Sequence, residues 1–243
     1  MRGSVFSMSE TQLTVNADSR VARKIMIRRI ASCAILSAMA AILMYLEISP
    51  SLLLLPFPDF LKFDLSEIPV LIGTFALGPV WGVVIELLKN LLHLPASGTM
   101  GVGEFSNFLT GSIFVISAGL IYRKFRTKKG AAVSMIIATI VLSAASVPVN
   151  YFINIPFYAK AFNFPLEAII AASAKVNPLV KDTVSLLLAV FVPFNLFKGT
   201  VVSIVTFFVY MPISKLINKT YDQTHVKAKP AKPEKTEAEP EQA

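Results

Sequence analysis

The sequence predicts an all-α integral membrane protein of six transmembrane helices, with helices 2 and 3 short and both termini cytoplasmic. Three observations point there. Hydrophobic residues make up 54% of the 243 and charged residues only 16%, with a mean hydropathy of +0.64, whereas an average soluble domain is about 25% charged. Apolar runs of the length that crosses a bilayer, about 20 residues, recur along the chain. The 23 lysines and arginines are bunched: six precede residue 30, five lie in 123–129 and six follow from Lys215. Such clusters at the ends of apolar runs mark the cytoplasmic side, so the net charge of +8 reads as topology and not as a nucleic-acid surface.

Taken in order, residues 1–22 are polar and expected to be unstructured, 23–220 form the membrane domain, and 221–243, rich in Lys, Pro and Glu, read as a disordered cytoplasmic tail. No small-residue cleavage site follows a short apolar run near the start, which disfavours a cleaved signal peptide. Helix 1 (30–48) follows Arg23, Lys24, Arg28 and Arg29, so it starts inside and ends outside. The span at 105–122 runs into RKFRTKK (123–129), which fixes its end inside and its start outside. Between these two outside points the number of crossings must be even. Two short helices, 65–77 and 80–94, joined by a Gly78-Pro79 turn, satisfy this at roughly 20 Å each from the 1.5 Å rise per residue; a re-entrant pair is the alternative. Residues 131–155 then return outward and 193–217 come back in. The outer connections 49–64, 95–103 and 156–192 are long, which places material for a lid over a pocket on the outer side.

Lys198 is the single formal charge in residues 184–212, and Asn195 precedes it by three, on the same helix face. Ionisable groups inside a membrane are rare and by default functional, although a lysine near a helix end also snorkels. Asn150, bracketed by Pro148 and Pro156, is a second amide in an apolar run. Two carboxamides and an ammonium complement the edge of a heterocycle that alternates N–H and C=O groups; for Asn150, helix-to-helix hydrogen bonding is the competing use.

The first outer loop, FPDFLKFDLSEIP (57–69), carries Phe57, Phe60 and Phe63, which suit either an aromatic belt or the stacking surface of a lid. Asp64 and Glu67 have capping-box spacing. GTMGVGEFSNF (98–108) lacks the Gly-Lys-Ser/Thr of a phosphate loop and is read as a turn whose amides meet hydroxyl groups, with Glu104 at the following helix start. Glu86 and Lys89 are read as a pair on a helix face. Ala34 and Ala38 are spaced for close helix approach, with Ser37 and Ala41 repeating the spacing one face over. A lone Cys33 and two histidines, His93 and His225, offer neither a disulfide nor a metal set, and no nucleophile, acid or base constellation supports an enzyme.

Five ordered motifs, KFDLSEIPVLIG (62–73), ALGPVWGVVIELLKNLLHL (76–94), GVGEFSNFLTG (101–111), the NYF at Asn150 and PFNLFKG (193–199), resemble the riboflavin-binding S components of energy-coupling factor (ECF) transporters over residues 30–217. The resemblance implies a multi-pass subunit of a prokaryotic plasma membrane that captures riboflavin, a transported ligand and not a cofactor, at the outer face. It also implies a transmembrane coupling subunit and two ATPases as partners, with release by toppling in the bilayer. Carried over by motif, Asn195 and Lys198 match the flavin-contacting pair and Asn150 the amide on the preceding helix. Phe63 and its neighbours would cover the ring, and Asp64 of the same loop would be a further ligand-binding residue. Gly101, Gly103 and Asn107 would meet the ribityl tail, and Ala34, Ala38 and Ala41 the coupling subunit. Glu104 and Asp64 lie where a phosphate would project, which predicts discrimination against riboflavin 5′-phosphate. An S component for thiamin or biotin, or a stand-alone facilitator, are the alternatives.

Overall fold

The computed structural model describes the backbone of residues 4–161 and 165–225. Helix α1 (Ser4–Tyr45) leads through a loop with a 3-10 turn (Pro50–Leu53) into α2 (Glu67–Leu77) and α3 (Pro79–His93). Then follow α4 (Val102–Lys124), α5 (Lys128–Val149), a π-helical turn (Asn150–Asn154) and α6 (Ile155–Ala161). Helices α7 (Leu166–Ala174) and α8 (Thr183–Leu186) lead through a second π-helical turn (Leu187–Phe191) into α9 (Val192–His225). Four helical stretches are long and apolar enough to cross a membrane among the described residues: Arg20–Tyr45, Val102–Lys124, Lys128–Lys160 and Thr183–Tyr210. The expected helices 2 and 3 are present as α2 and α3, of 11 and 15 residues. Their rise, about 16 and 22 Å, falls short of a hydrocarbon core of about 30 Å.

Helix α2 is the centre of the bundle, packed against α1, α3, α4 and α9. That position explains why it is largely apolar after Glu67, with residues on every side buried. Gly78, at φ 107°, ends it by donating its N–H to Thr74 O at 3.0 Å, and Pro79 opens α3 at once, so the expected Gly-Pro turn is realised. Between α4 and α5 the basic cluster splits: Arg123 and Lys124 close one helix and Lys128 and Lys129 open the next, with Thr127 accepting the Gly130 N–H at 3.0 Å as cap. At this end Phe75 of α2 packs between Tyr122 and Tyr210, whose hydroxyls hydrogen-bond each other and tie α4 to α9.

Three expectations are corrected. The polar stretch 1–22 is helical from Ser4, since the chain has no Gly or Pro between residue 4 and Pro50 to break the helix. The long connection 156–192 is built of α6, α7 and α8 with a π-helical turn, and the last span starts at Thr183, about ten residues before the expected 193. Helix α9 continues to His225, past the expected end at 217; residues 226–243 of the expected tail lie outside the described residues.

Candidate functional site

One end of the bundle gathers the end of α1, the loop at 46–66, the end of α3, the starts of α4 and α9, the end of α5 and both π-helical turns. These enclose a cavity of about 630 Å³, inside the range of roughly 300–1,000 Å³ usual for small-molecule sites. Its walls include Asp64, Gly103, Asn107, Asn150, Asn195 and Lys198. Phe63 and Gly101 do not line it. Phe63 instead packs on Phe197, ring centroids 5.6 Å apart, and its backbone pairs with Ile48 in a two-bond bridge of 2.8 and 2.9 Å. Gly101, with φ 85°, donates its N–H to Ser97 Oγ at 2.8 Å, and Gly103 donates to Thr99 Oγ1 at 2.9 Å. These two amides are therefore spent on the turn itself, and the expectation that they meet ligand hydroxyls gives way to the side chains of Thr99, Ser106 and Asn107, which line the cavity.

The loop is a lid fastened to α9 and the turn before it. Phe57 meets Phe194 edge-on at 5.4 Å, Phe60 packs on Phe191 at 6.3 Å, and Phe63 on Phe197, so the three loop rings fall on three rings of one helical face. Of the three loop rings Phe60 alone lines the cavity, while Phe57 and Phe63 are taken up in fastening the loop to α9. Lys198 Nζ reaches Asp64 Oδ2 at 2.7 Å, with side-chain exposures of 12% and 5%. The ammonium that the sequence left in search of a partner finds it in the loop, so it neither snorkels nor stands free. Burial pushes the Asp64 carboxyl up, but the Lys198 and Lys89 ammonium groups and hydrogen bonds from Lys198 and Ser66 overrule it and hold it at about 2.

No capping box forms at α2. Asp64 Oδ1 accepts the Ser66 N–H at 2.8 Å, while Glu67 turns across to Lys89. Lys89 also lies 3.0 Å from Glu86 Oε2 and donates to Ser66 Oγ at 3.0 Å. Glu86 and Lys89 are fully buried, which replaces the expected surface pair with an internal cluster. Helix α3 is thus polar inward at Glu86, Lys89, Asn90 and His93, spaced i, i+3, i+4 and i+7, and apolar outward at Val80, Leu87 and Leu91. That is the polarity of a helix whose surroundings are less polar than its neighbours. Gly111 of α4 admits this cluster: a Cβ there would stand 2.4 Å from Glu86 Oε1.

Above the cluster, His93 Nδ1 lies 2.9 Å from Glu104 Oε1, and Ser97 donates to Glu104 Oε2 at 2.7 Å. Glu104 lines the cavity as a carboxylate already supplied with donors. On the walls formed by the end of α5 and the start of α9, Asn150 and Asn195 each donate an N–H to a carbonyl one turn back, Ser146 O at 2.7 Å and Phe191 O at 2.9 Å. Asn154 and Ser106 join Asn150 in a hydrogen-bonded chain. Sequence reasoning missed both, although Asn154 repeats Asn150 four residues on. Asn177, in the connection after α7, donates to Ala189 O at 2.9 Å and does not line the cavity.

On the outer surface of α1, Ala34 and Ala38 are exposed. Ala41, expected with them, is buried, because it continues the inward stripe of Cys33, Ser37, Ala40 and Met44. No group of three or more His, Cys, Asp or Glu side chains is arranged to hold a metal ion among the described residues.

Comparison with known proteins gives three findings. The family model described as the substrate-specific component of ECF transporters matches residues 28–210. Riboflavin transporter RibU of Staphylococcus aureus strain TCH60 is 35% identical over 193 residues, covering 79% of this chain and 93% of that protein; riboflavin transporter FmnP of Bacillus subtilis strain 168 is 28% identical over 197 residues, covering 79% and 95%. A solved S component of a bacterial ECF transporter is similar with a TM-score of 0.61 at 30% identity, covering 79% of this chain and 98% of that one.

Proposed function

The chain belongs to the substrate-specific components of ECF transporters, a transporter component and not an enzyme, and on that premise we propose that its ligand is riboflavin, bound in the cavity under the loop at 46–66. The observation that carries the reading is the meeting of Asn150, Asn195 and Lys198, from two separate walls, in one cavity of about 630 Å³. Each asparagine has spent one N–H on its own helix and keeps a second for the ligand. A flat, uncharged heterocycle with carbonyl and imide N–H groups suits those donors, while Phe60, Phe191 and Phe194 supply apolar faces for its rings. The hydroxylated tail would lie toward Thr99, Ser106 and Asn107.

In this reading α2 and α3 complete six crossings, both termini are cytoplasmic, and the cavity opens outward from a multi-pass protein of the prokaryotic plasma membrane. The basic end of α4, Arg123 and Lys124, and the basic residues Arg23, Lys24, Arg28 and Arg29 within α1 lie at the opposite end from the cavity, which supports that orientation. Energy would come from two ATPases by way of a transmembrane coupling subunit, which would dock along the exposed Ala34 and Ala38. Protein purified in detergent without added vitamin is expected to show the yellow absorption of a flavin and, once stripped, to be stabilised by riboflavin but not by thiamin or biotin. Colourless protein that responds to thiamin or biotin instead overturns the assignment.

A further inference from the structure

We propose that Asn154 is a positioning residue that, together with the Ser146 carbonyl, holds the Asn150 carboxamide with an N–H toward the ligand. This deepens the riboflavin reading and rests on it. Which end of an amide is oxygen is not visible from shape and must follow from hydrogen bonding, and here the direction is fixed from a backbone group. Ser146 O can only accept, so Asn150 must turn its Nδ2 to it, at 2.7 Å. That turns Asn150 Oδ1 toward Asn154, whose Nδ2 donates to it at 2.8 Å. Asn154 Oδ1 then faces Ser106, whose hydroxyl donates to it. Reversing any amide in this series sets oxygen against oxygen at the Ser146 or the Asn150 junction, a buried mismatch of acceptors.

The consequence is a defined polarity toward the cavity. Asn150 is 6% exposed; with one N–H held by Ser146 and its oxygen engaged by Asn154, it offers its second N–H. It is a donor and takes a carbonyl oxygen of the ligand. Asn195, with one N–H on Phe191 O at 2.9 Å, keeps both an N–H and its Oδ1, and so matches an imide N–H beside a carbonyl. Four residues apart, Asn150 and Asn154 share the face that lines the cavity, while Tyr151 and Phe152 are exposed.

The test uses the full chain in detergent with riboflavin carbon-13 labelled at the pyrimidine carbonyls. Affinity is read by flavin fluorescence, and carbonyl hydrogen bonding by the isotope-edited infrared stretch. In wild type one carbonyl band lies low, and Asn150→Leu raises it. Asn154→Leu is expected to raise the same band and weaken binding tenfold or more, and the double variant Asn150→Leu/Asn154→Leu to bind no worse than Asn150→Leu alone. Ser106→Ala, which leaves both amides in place, is expected to move the band part of the way. A loss of affinity in Asn154→Leu with an unmoved band, or losses that multiply in the double variant, overturns the proposal and leaves Asn154 a packing residue. Should Asn154→Leu not fold, an unmoved band in Ser106→Ala overturns it alone. Wild type that binds no riboflavin in the same assay fails the ligand reading itself, a separate result.

Discussion

Replacing Lys198 with methionine keeps the length of the side chain and removes the charge, stranding Asp64 at 5% exposure. At the observed 2.7 Å and an effective dielectric constant of about 20, the gross attraction is about 6 kcal/mol. Desolvation of both ions takes back part of this. Breaking one side of a buried pair typically costs about 3–5 kcal/mol. The low end applies here, because Asp64 retains the Ser66 N–H and Lys198 is itself 12% exposed. Lys198→Met is therefore expected to lose about 3 kcal/mol, or about 6–12 °C of thermal midpoint for a chain of this length. The assay is thermal unfolding of ligand-free protein in detergent, run as a double-mutant cycle with Asp64→Asn. The variant carrying both substitutions is expected to be more stable than Lys198→Met alone, since no uncompensated carboxylate remains. If Lys198→Met is neutral and the coupling lies below about 0.5 kcal/mol, the lid is not held by this pair and the reasoning fails.

Lys89→Met should be more damaging still, about 3–5 kcal/mol or outright loss of folded protein, because it abandons Glu67 and Glu86 together; adding Glu86→Gln should recover part of the loss in the same unfolding assay. Asp64, held at about 2 against an ordinary value near 3.9, contributes about 2.5 kcal/mol that is fully present above that ordinary value and lost as pH falls through 2. Its contribution should therefore be flat from pH 5 to 8, and Asp64→Asn should remove any steepening of acid unfolding measured below pH 4. Riboflavin 5′-phosphate should bind on the order of tenfold more weakly than riboflavin, from about 1.4 kcal/mol of repulsion by Glu104 beside Thr99, Asp64 being paired with Lys198 at the ring end; equal affinities by competitive titration would refute this. Gly111→Ala should destabilise measurably, since its methyl group would fall 2.4 Å from Glu86 Oε1, and a wild-type melting temperature would show that the α3 and α4 contact gives way freely.

The long helical spans were legible where charge and length speak directly. Basic clusters flank the spans that the structure contains, and Gly78-Pro79 turns the chain where expected. Asn150, Asn195 and Lys198 were legible because polar groups in apolar runs are conspicuous. Their partners were not. Asp64 lies 134 residues from Lys198, and nothing local in KFDLSEIP distinguishes a carboxylate that caps a helix from one that crosses to another. The polar stripe of Glu86, Lys89, Asn90 and His93 was readable at helical spacing, but a charged stripe on a short helix equally describes a solvated face; only its position beside α2 and α4 makes it internal. Ala41 was misplaced because the first helix shows little amphipathic contrast, so alanines on the packed and the open sides look alike.

Two π-helical turns, Asn150–Asn154 and Leu187–Phe191, interrupt the helical rods that wall the cavity. Each inserts one residue into an otherwise α-helical rod, so everything beyond it is rotated by the angle that one residue subtends, about 100°. Asn195 and Lys198 lie just past the turn at Leu187–Phe191, and α6 just past the turn at Asn150–Asn154. A helical wheel drawn without interruption through either rod would put the downstream side chains on the wrong azimuth. Shortening either wall by a single residue would swing polar groups away from the hollow they face while leaving the apolar length of the rod almost unchanged.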